Sequence, residues 1–208
     1  MRKIISVLLT VIITFALIGC NINKKEAPDL KTKEDISHEK SVDGVKFNLG
    51  ISSKEAIKGD MNSDGSVNLE NGEYFQFGMD KKKASDYEYI IINITVENTT
   101  DKVVKMFQTG WNATTNDGYE LENIKVTDKL NNEQVPSNYS FEAQVKIPVE
   151  KKLNVSEINL KYNLKDYSNL FKAMQESSSG KSLDAIKKEY PELYKDNFVN
   201  FGVIKINN

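Results

Sequence analysis

The chain has little of what most site chemistry requires. Its 208 residues include one cysteine, one histidine and one tryptophan, and arginine occurs only at Arg2. A lone cysteine, Cys20, can form no intramolecular disulfide, so a folded domain must be held by burial alone. A lone histidine, His38, lies in a charged stretch. That removes Ser-His-Asp and Cys-His catalysis and the usual zinc sites, which need a positioned imidazole or several thiols. Without arginine beyond residue 2 the chain lacks the planar fork that grips phosphate. It also shows no basic stripe or recognition-helix motif, which argues against a nucleic-acid partner. What remains tells where the protein resides and how it is built, and names no reaction.

What is present begins with an address. Two positive charges in "MRK" precede an apolar run from Ile4 to Ile18, interrupted only by Ser6, Thr10 and Thr14. A run of about 15 residues is short for a membrane span and has the length of a signal-peptide core. It closes on Leu17-Ile18-Gly19-Cys20, which resembles the lipobox of bacterial lipoproteins: an aliphatic residue, a small residue, then the cysteine. The resemblance implies that residues 1–19 are a lipoprotein signal peptide cleaved between Gly19 and Cys20. Cys20 then carries a diacylglyceryl group and becomes the mature N-terminus. Two or more acyl chains anchor a protein stably where one does so only marginally. The alternative is an uncleaved N-terminal anchor. On either reading the rest of the chain lies outside the cytoplasm, tied to the cell membrane at its extracellular face.

Residues 20–43 read as a flexible tether. The stretch from Asn21 to Asp43 is dense in charge, contains Pro28 and has almost no large apolar side chains. A coil of about 23 residues reaches about 25–30 Å on average. Loss of Arg2 and Lys3 with the leader leaves 26 basic against 30 acidic side chains. Residues 44–208 are ample for one core.

The folded part reads as mainly β. In "YEYIIINITVENTTDK", residues 87–102, Ile90, Ile92, Ile94 and Val96 alternate with polar positions, Ile91 being the exception. Phe141, Ala143, Val145, Ile147 and Val149 repeat the period, with Pro148 marking an edge or the end of pairing. Ile158, Leu160 and Tyr162 form another strand, "FVNFGVIKI" a last one, and Asp117-Gly118 a hairpin turn. Between about 166 and 195, Leu170, Phe171 and Met174 at helical spacing and a Ser182 N-cap predict two short helices packed on the sandwich. Short strands and polar turns favour an antiparallel immunoglobulin-like β-sandwich with this helical insertion.

The long strand ending in Glu97-Asn98, the "DGYELE" hairpin and "FEAQVKIPVEKKLNVSEINLKY" together resemble Gram-positive lipoproteins. These carry the immunoprotective-extracellular, immunoglobulin-like domain, a family of unknown function. The pattern covers about residues 44 to 165. It implies a β-sandwich and brings no catalytic residues with it.

One stretch has ion-site spacing. In "GDMNSDGSVNLEN", Asp60, Asn62 and Asp64 alternate, Gly65 follows, and Ser66, Asn68 and Asn71 stand at the remaining calcium-loop positions. Asn71 replaces the carboxylate that normally closes the site. The stretch resembles one loop of a dockerin, which needs two copies. Upstream, "SSKEAIKG" has the Ser52–Glu55 spacing of a capped helix. The competing reading is a polar hairpin turning at Asn71-Gly72 and setting Glu70 opposite Glu73. Calcium binding and a plain turn both stand at this point.

Tyr87, Tyr89 and Trp111 form a candidate aromatic binding face, set against the commoner role of filling a core. Two functions follow. The first is a lipid-anchored, non-enzymatic module that binds an extracellular protein or cell-wall component, with a calcium-braced loop as a structural accessory. The second is a carboxylate-based hydrolase of wall polymers, which needs two carboxyl groups about 5–9.5 Å apart.

Overall fold

Two antiparallel sheets closing on one apolar layer organise the protein. The computed structural model describes residues 38–207, so the leader, Gly19, Cys20 and the tether to residue 37 lie outside the described residues. In chain order the strands are β1 (His38–Val42), β2 (Val45–Ala56), β3 (Gly59–Met61), β4 (Val67–Gly72), β5 (Tyr74–Phe77), β6 (Asp80–Lys83), β7 (Tyr87–Asn98) and β8 (Val104–Lys105). There follow β9 (Trp111–Thr115), β10 (Glu120–Leu121), β11 (Lys125–Val126), β12 (Gln134–Val135), β13 (Tyr139–Glu150) and β14 (Glu157–Asn163). Helices α1 (Leu170–Ser178) and α2 (Leu183–Glu189) precede β15 (Phe198–Lys205).

The first sheet runs β1-β2-β7-β13-β11 and the second β10-β9-β14-β15. The central pair is β7 with β13, in register from Tyr139 opposite Asn98 to Glu150 opposite Tyr87. This register puts Ile90, Ile92, Ile94 and Val96 on the same face as Phe141, Ala143, Val145, Ile147 and Val149, and all are buried in one cluster. Ile158, Leu160, Tyr162, Val199 and Phe201 of the second sheet meet them across the layer. Each such aliphatic side chain, fully buried, contributes about 1.5–3 kcal/mol. Ile91 is buried as well, on the outward face. The strand β11 covers only Val145 and Lys146 of β13, so Pro148, opposite Tyr89 of β7, has no strand on its other flank, the place where a sheet tolerates proline. The described residues belong to one compact unit, Ile36–Asn208.

Three local expectations are corrected. "HEKSV", read as the end of the tether, is edge strand β1, joined to β2 by a two-residue turn in which Asp43 and Gly44 take φ 46° and 75°. Edge strands carry charge readily, and Asp-Gly with two positive φ values is a type I′ hairpin signal. "SSKEA", with capping-box spacing, is the second half of β2. Ser52 to Ala56 pair with Ile92 to Glu88 after a bulge, so the neighbouring strand overrides a local helical cue. Asn71-Gly72 is no hairpin turn either. The small sheet runs β4-β3-β5-β6, with β4 and β5 on opposite flanks of β3, and Glu70 does not face Glu73.

Candidate binding groove

The helical excursion leaves the second sheet at Asn163 and returns at Phe198, and its two ends are tied together. Asn163 donates through Nδ2 to Asp196 at 2.8 Å and accepts from the Asn197 amide at 2.9 Å. Asn197 in turn donates to the Asp43 carboxylate at 2.6 Å. The bond from Asn163, then Lys165 at 3.3 Å, hold the Asp196 carboxyl below its usual range. Helices α1 and α2 have a core of their own: Ala173, Ile186, Tyr190 and Leu193, with Tyr167 and Leu170 against it. Ser182 caps α2 as its sequence predicts, accepting from the Ala185 amide at 3.3 Å.

Opposite α1 runs the segment from Thr99 to Phe107, pinned by a buried asparagine. Asn98 is fully buried, and its Nδ2 donates to the carbonyls of Lys102, Val135 and Pro136 at 2.7, 3.0 and 3.1 Å. Its Oδ1 accepts from the Thr100 amide and hydroxyl at 3.0 and 2.7 Å. Further along, β8 pairs with β12, and the Phe107 amide donates to the buried Tyr162 hydroxyl at 3.0 Å. Burial raises the Tyr162 pKa, so this hydroxyl stays neutral. The Phe107 and Tyr167 rings, 4.3 Å apart between centroids, join segment and excursion.

Between these walls lies a groove of about 760 Å³. Phe107 and Tyr167 lie in it, Val103 and Val104 line one side, and Leu170, Phe171 and Met174 line the other. Phe171 and Met174 were expected to pack on the sandwich. They are instead 81% and 59% exposed, because α1 buries Ala173 and packs the half-buried Leu170 against the helical cluster and turns its i, i+3 pair outward. Val103 is 56% exposed beside them. Asp43, Asp101, Asp166, Lys102, Lys105 and Lys165 supply balanced charge around this apolar surface.

The aromatic face expected from Tyr87, Tyr89 and Trp111 does not exist as one surface. Trp111 is a core residue, 4.7 Å from the Tyr162 ring and 5.9 Å from Phe201. Its Nε1 is the single buried side-chain donor among the described residues with no partner. Tyr87 is buried on the outward face of the first sheet against Phe75, and donates to Glu150 at 3.0 Å. Only Tyr89 is half-exposed. Alternation assigns a strand's faces without saying which face another layer will cover.

Of Asp60, Asn62, Asp64, Ser66, Asn68 and Asn71, the side chains of Asn62, Asp64, Ser66 and Asn68 are bonded to one another and to nearby backbone amides. The loop between β3 and β4 is a three-residue hairpin: the Asn62 amide donates to the Ser66 carbonyl at 2.7 Å, the Gly65 amide to the Asn62 carbonyl at 3.0 Å, and Gly65 takes φ 87°. The β9–β10 loop has the same bonds, Thr115 to Tyr119 and Gly118 to Thr115, with Gly118 also at φ 87°. "NSDGS" and "TNDGY" are one turn written twice, a type I turn closed by an Asp-Gly bulge.

Asp64 Oδ1 accepts from the Ser66 amide and hydroxyl at 2.8 and 2.7 Å, which lowers its pKa. Asn62 Oδ1 accepts from Asn68 at 3.2 Å, and Asn68 Oδ1 accepts from the amides of Glu70 and Asn71 at 3.0 and 3.1 Å. The Lys81 ammonium donates to the Asn62 carbonyl at 3.1 Å, so a protein cation already lies there. Among the described residues no three Asp, Glu, His or Cys side chains gather in a metal-holding group. This donor set does not fit a calcium shell of six to eight oxygens.

No family model matches the chain, and no curated protein matches it significantly, so the resemblance to the immunoprotective-extracellular family rests on pattern alone. Among solved structures the chain is similar to the yjhA protein of Bacillus subtilis, at 13% identity and TM-score 0.44, over 81% of this chain and 96% of that one. It is also similar to ycdA of Bacillus subtilis, provisionally described as a lipoprotein, at 16% identity and TM-score 0.41 over 63% of this chain. There the chain spans about a third of its counterpart's length, 34%. An uncharacterized beta-sandwich protein from Clostridium difficile matches at 15% identity and TM-score 0.38, over 65% of this chain and 92% of that one.

Proposed function

We propose that the protein is a lipid-anchored extracellular module that binds a partner in the groove between α1 and the 100–107 segment and catalyses no reaction. The observation that carries this reading is the apolar groove with Phe171, Met174 and Val103 exposed along it. Exposed side chains of this size gathered on one surface mark interaction sites, whereas scattered ones do not. The volume lies in the range of ligand sites, about 300–1,000 Å³. The anchor rests on the leader and on Cys20, and no helix among the described residues is long and apolar enough to cross a membrane.

A hydrolase would need a free carboxyl pair, and the groove offers Asp43, Asp101 and Asp166. Asp43 is bonded to Asn197 and Asp166 to the Ser168 amide at 2.9 Å, which favours a structural role for both. The reading is tested with an environment-sensitive apolar dye on the unit 36–208. Fluorescence is expected to rise on binding and to be lost in Phe171→Glu at unchanged melting temperature. No binding, or equal binding by the variant, would remove the groove from consideration. The anchor is tested separately: labelling with a palmitate analogue is expected to vanish in Cys20→Ala, and persistent labelling would refute lipidation at that thiol.

A further inference from the structure

We infer that the occupant of the groove is an extended peptide segment with apolar, uncharged anchor side chains, which adds as a strand to the open edge of β8. The inference rests on the groove being the binding site and adds the class of partner and the way it is held.

Three observations point to it. First, β8 belongs to a two-stranded sheet, so among the described residues its second flank has no strand partner. Second, Val103, Val104 and Lys105 line the groove consecutively, just past the bends at 100–102, where the Thr100 and Lys102 backbone groups are already bonded to the Asn98 and Thr100 side chains. In extended chain, successive side chains point to opposite faces. This short run therefore borders the groove along its backbone edge, on the flank of β8 away from β12. Third, the opposite wall carries Phe171 and Met174, with Phe107 and Tyr167 between the walls. Alternate side chains of an added strand would enter this apolar slot while the intervening ones face solvent. Main-chain bonds to an edge plus pockets for alternate side chains is the standard form of strand addition.

Size and charge narrow the occupant. Val103, Phe171 and Met174 together offer a few hundred Å² of apolar surface, well short of the roughly 800 Å² per partner that a stable interface between folded proteins buries. That disfavours a second copy of this chain or another folded domain. The lining lysines and aspartates balance, so the groove gains nothing from a strongly charged peptide.

The test uses fluorescence anisotropy with the unit 36–208 and a capped octapeptide alternating leucine with threonine. A copy methylated at alternate backbone nitrogens, a lauric-acid probe and the apolar dye used above complete the set. The plain peptide is expected to bind. Backbone methylation and Phe171→Glu are each expected to weaken binding by about tenfold or more, and amide exchange at residues 103–105 to slow in the complex. Equal binding of plain and methylated peptides, or of lauric acid in place of the peptide, would overturn strand addition and leave groove binding intact. Dye binding without peptide binding would do the same. If neither dye nor peptide binds, the groove reading fails with it.

Discussion

Gly59 and Gly72 face each other across the β3–β4 pair with no room for a side chain between them. A Cβ on Gly59 would lie 2.1 Å from the Gly72 carbonyl oxygen and 2.8 Å from that of Tyr74; on Gly72 it would lie 2.6 Å from the Met61 nitrogen. The chain leaves β4 at Gly72, passes over Gly59 and continues as β5, so β3 acquires a strand on each flank. Glycine is required here for close approach of two backbones.

Gly59→Ala is therefore expected to destabilise the small sheet by more than the usual overpacking cost of about 1–3 kcal/mol, since the clash is with backbone. Gly65→Ala is the comparison. Its Cβ meets nothing within 4 Å and suffers only from φ 87°, a cost of roughly 1–2 kcal/mol. Hydrogen exchange reads the difference. Gly59→Ala should lose protection across residues 57–86 while β7 and β13 keep theirs, and equal effects of the two variants would refute the close-approach argument.

Asn98→Ala should cost about 2–4 kcal/mol in urea unfolding, because it takes the donor from the Val135 and Pro136 carbonyls and the acceptor from the Thr100 amide. Asn98→Asp should be at least as damaging at neutral pH, since a carboxylate faces three carbonyl oxygens and can donate to none. Its penalty should ease on acidification as the carboxyl regains a proton. A pH-independent penalty would show that the donor role of Asn98 is not what matters.

Tyr87 supplies an alkaline signature. Burial first, then the Glu150 carboxylate, push its hydroxyl up to about 12. The folded pKa lies above the unfolded value near 10, so the interaction stabilises the fold fully below pH 10 and is lost as pH rises toward 12. Tyrosinate absorbance should show a late component that shrinks in Tyr87→Phe. A late component unchanged in that variant would belong to Tyr162 or Tyr190 instead.

Calorimetric titration of the unit 36–208 with millimolar calcium is expected to give no saturable heat, and Asp64→Ala to lower hairpin stability equally with and without the ion. A saturable heat abolished by Asp64→Ala would restore the loop as a cation site.

Much of this architecture was legible residue by residue. The alternation in β7 and β13, the β9–β10 hairpin and the Ser182 cap are local patterns, and each forms where its pattern lies. Asp64-Gly65 carries the same turn signal as Asp117-Gly118, and both form the same hairpin turn. Asp43-Gly44 was likewise a readable hairpin turn hidden in a charged stretch.

The sequence by itself determined a core stabilised without disulfides and the alternation of its main strands, because these depend on side-chain type and on a period of two. Only the tertiary structure decided that Trp111 turns inward, that Phe171 and Met174 turn outward, and that "SSKEA" extends a strand. It also decided that β8 is left with an open edge beside an apolar helix face. These outcomes depend on which distant segment arrives opposite a given face, and pairings such as Ser52 with Ile92 join residues that no local window contains. Burial and pairing with remote partners outweigh local preferences of a few tenths of a kcal/mol per residue.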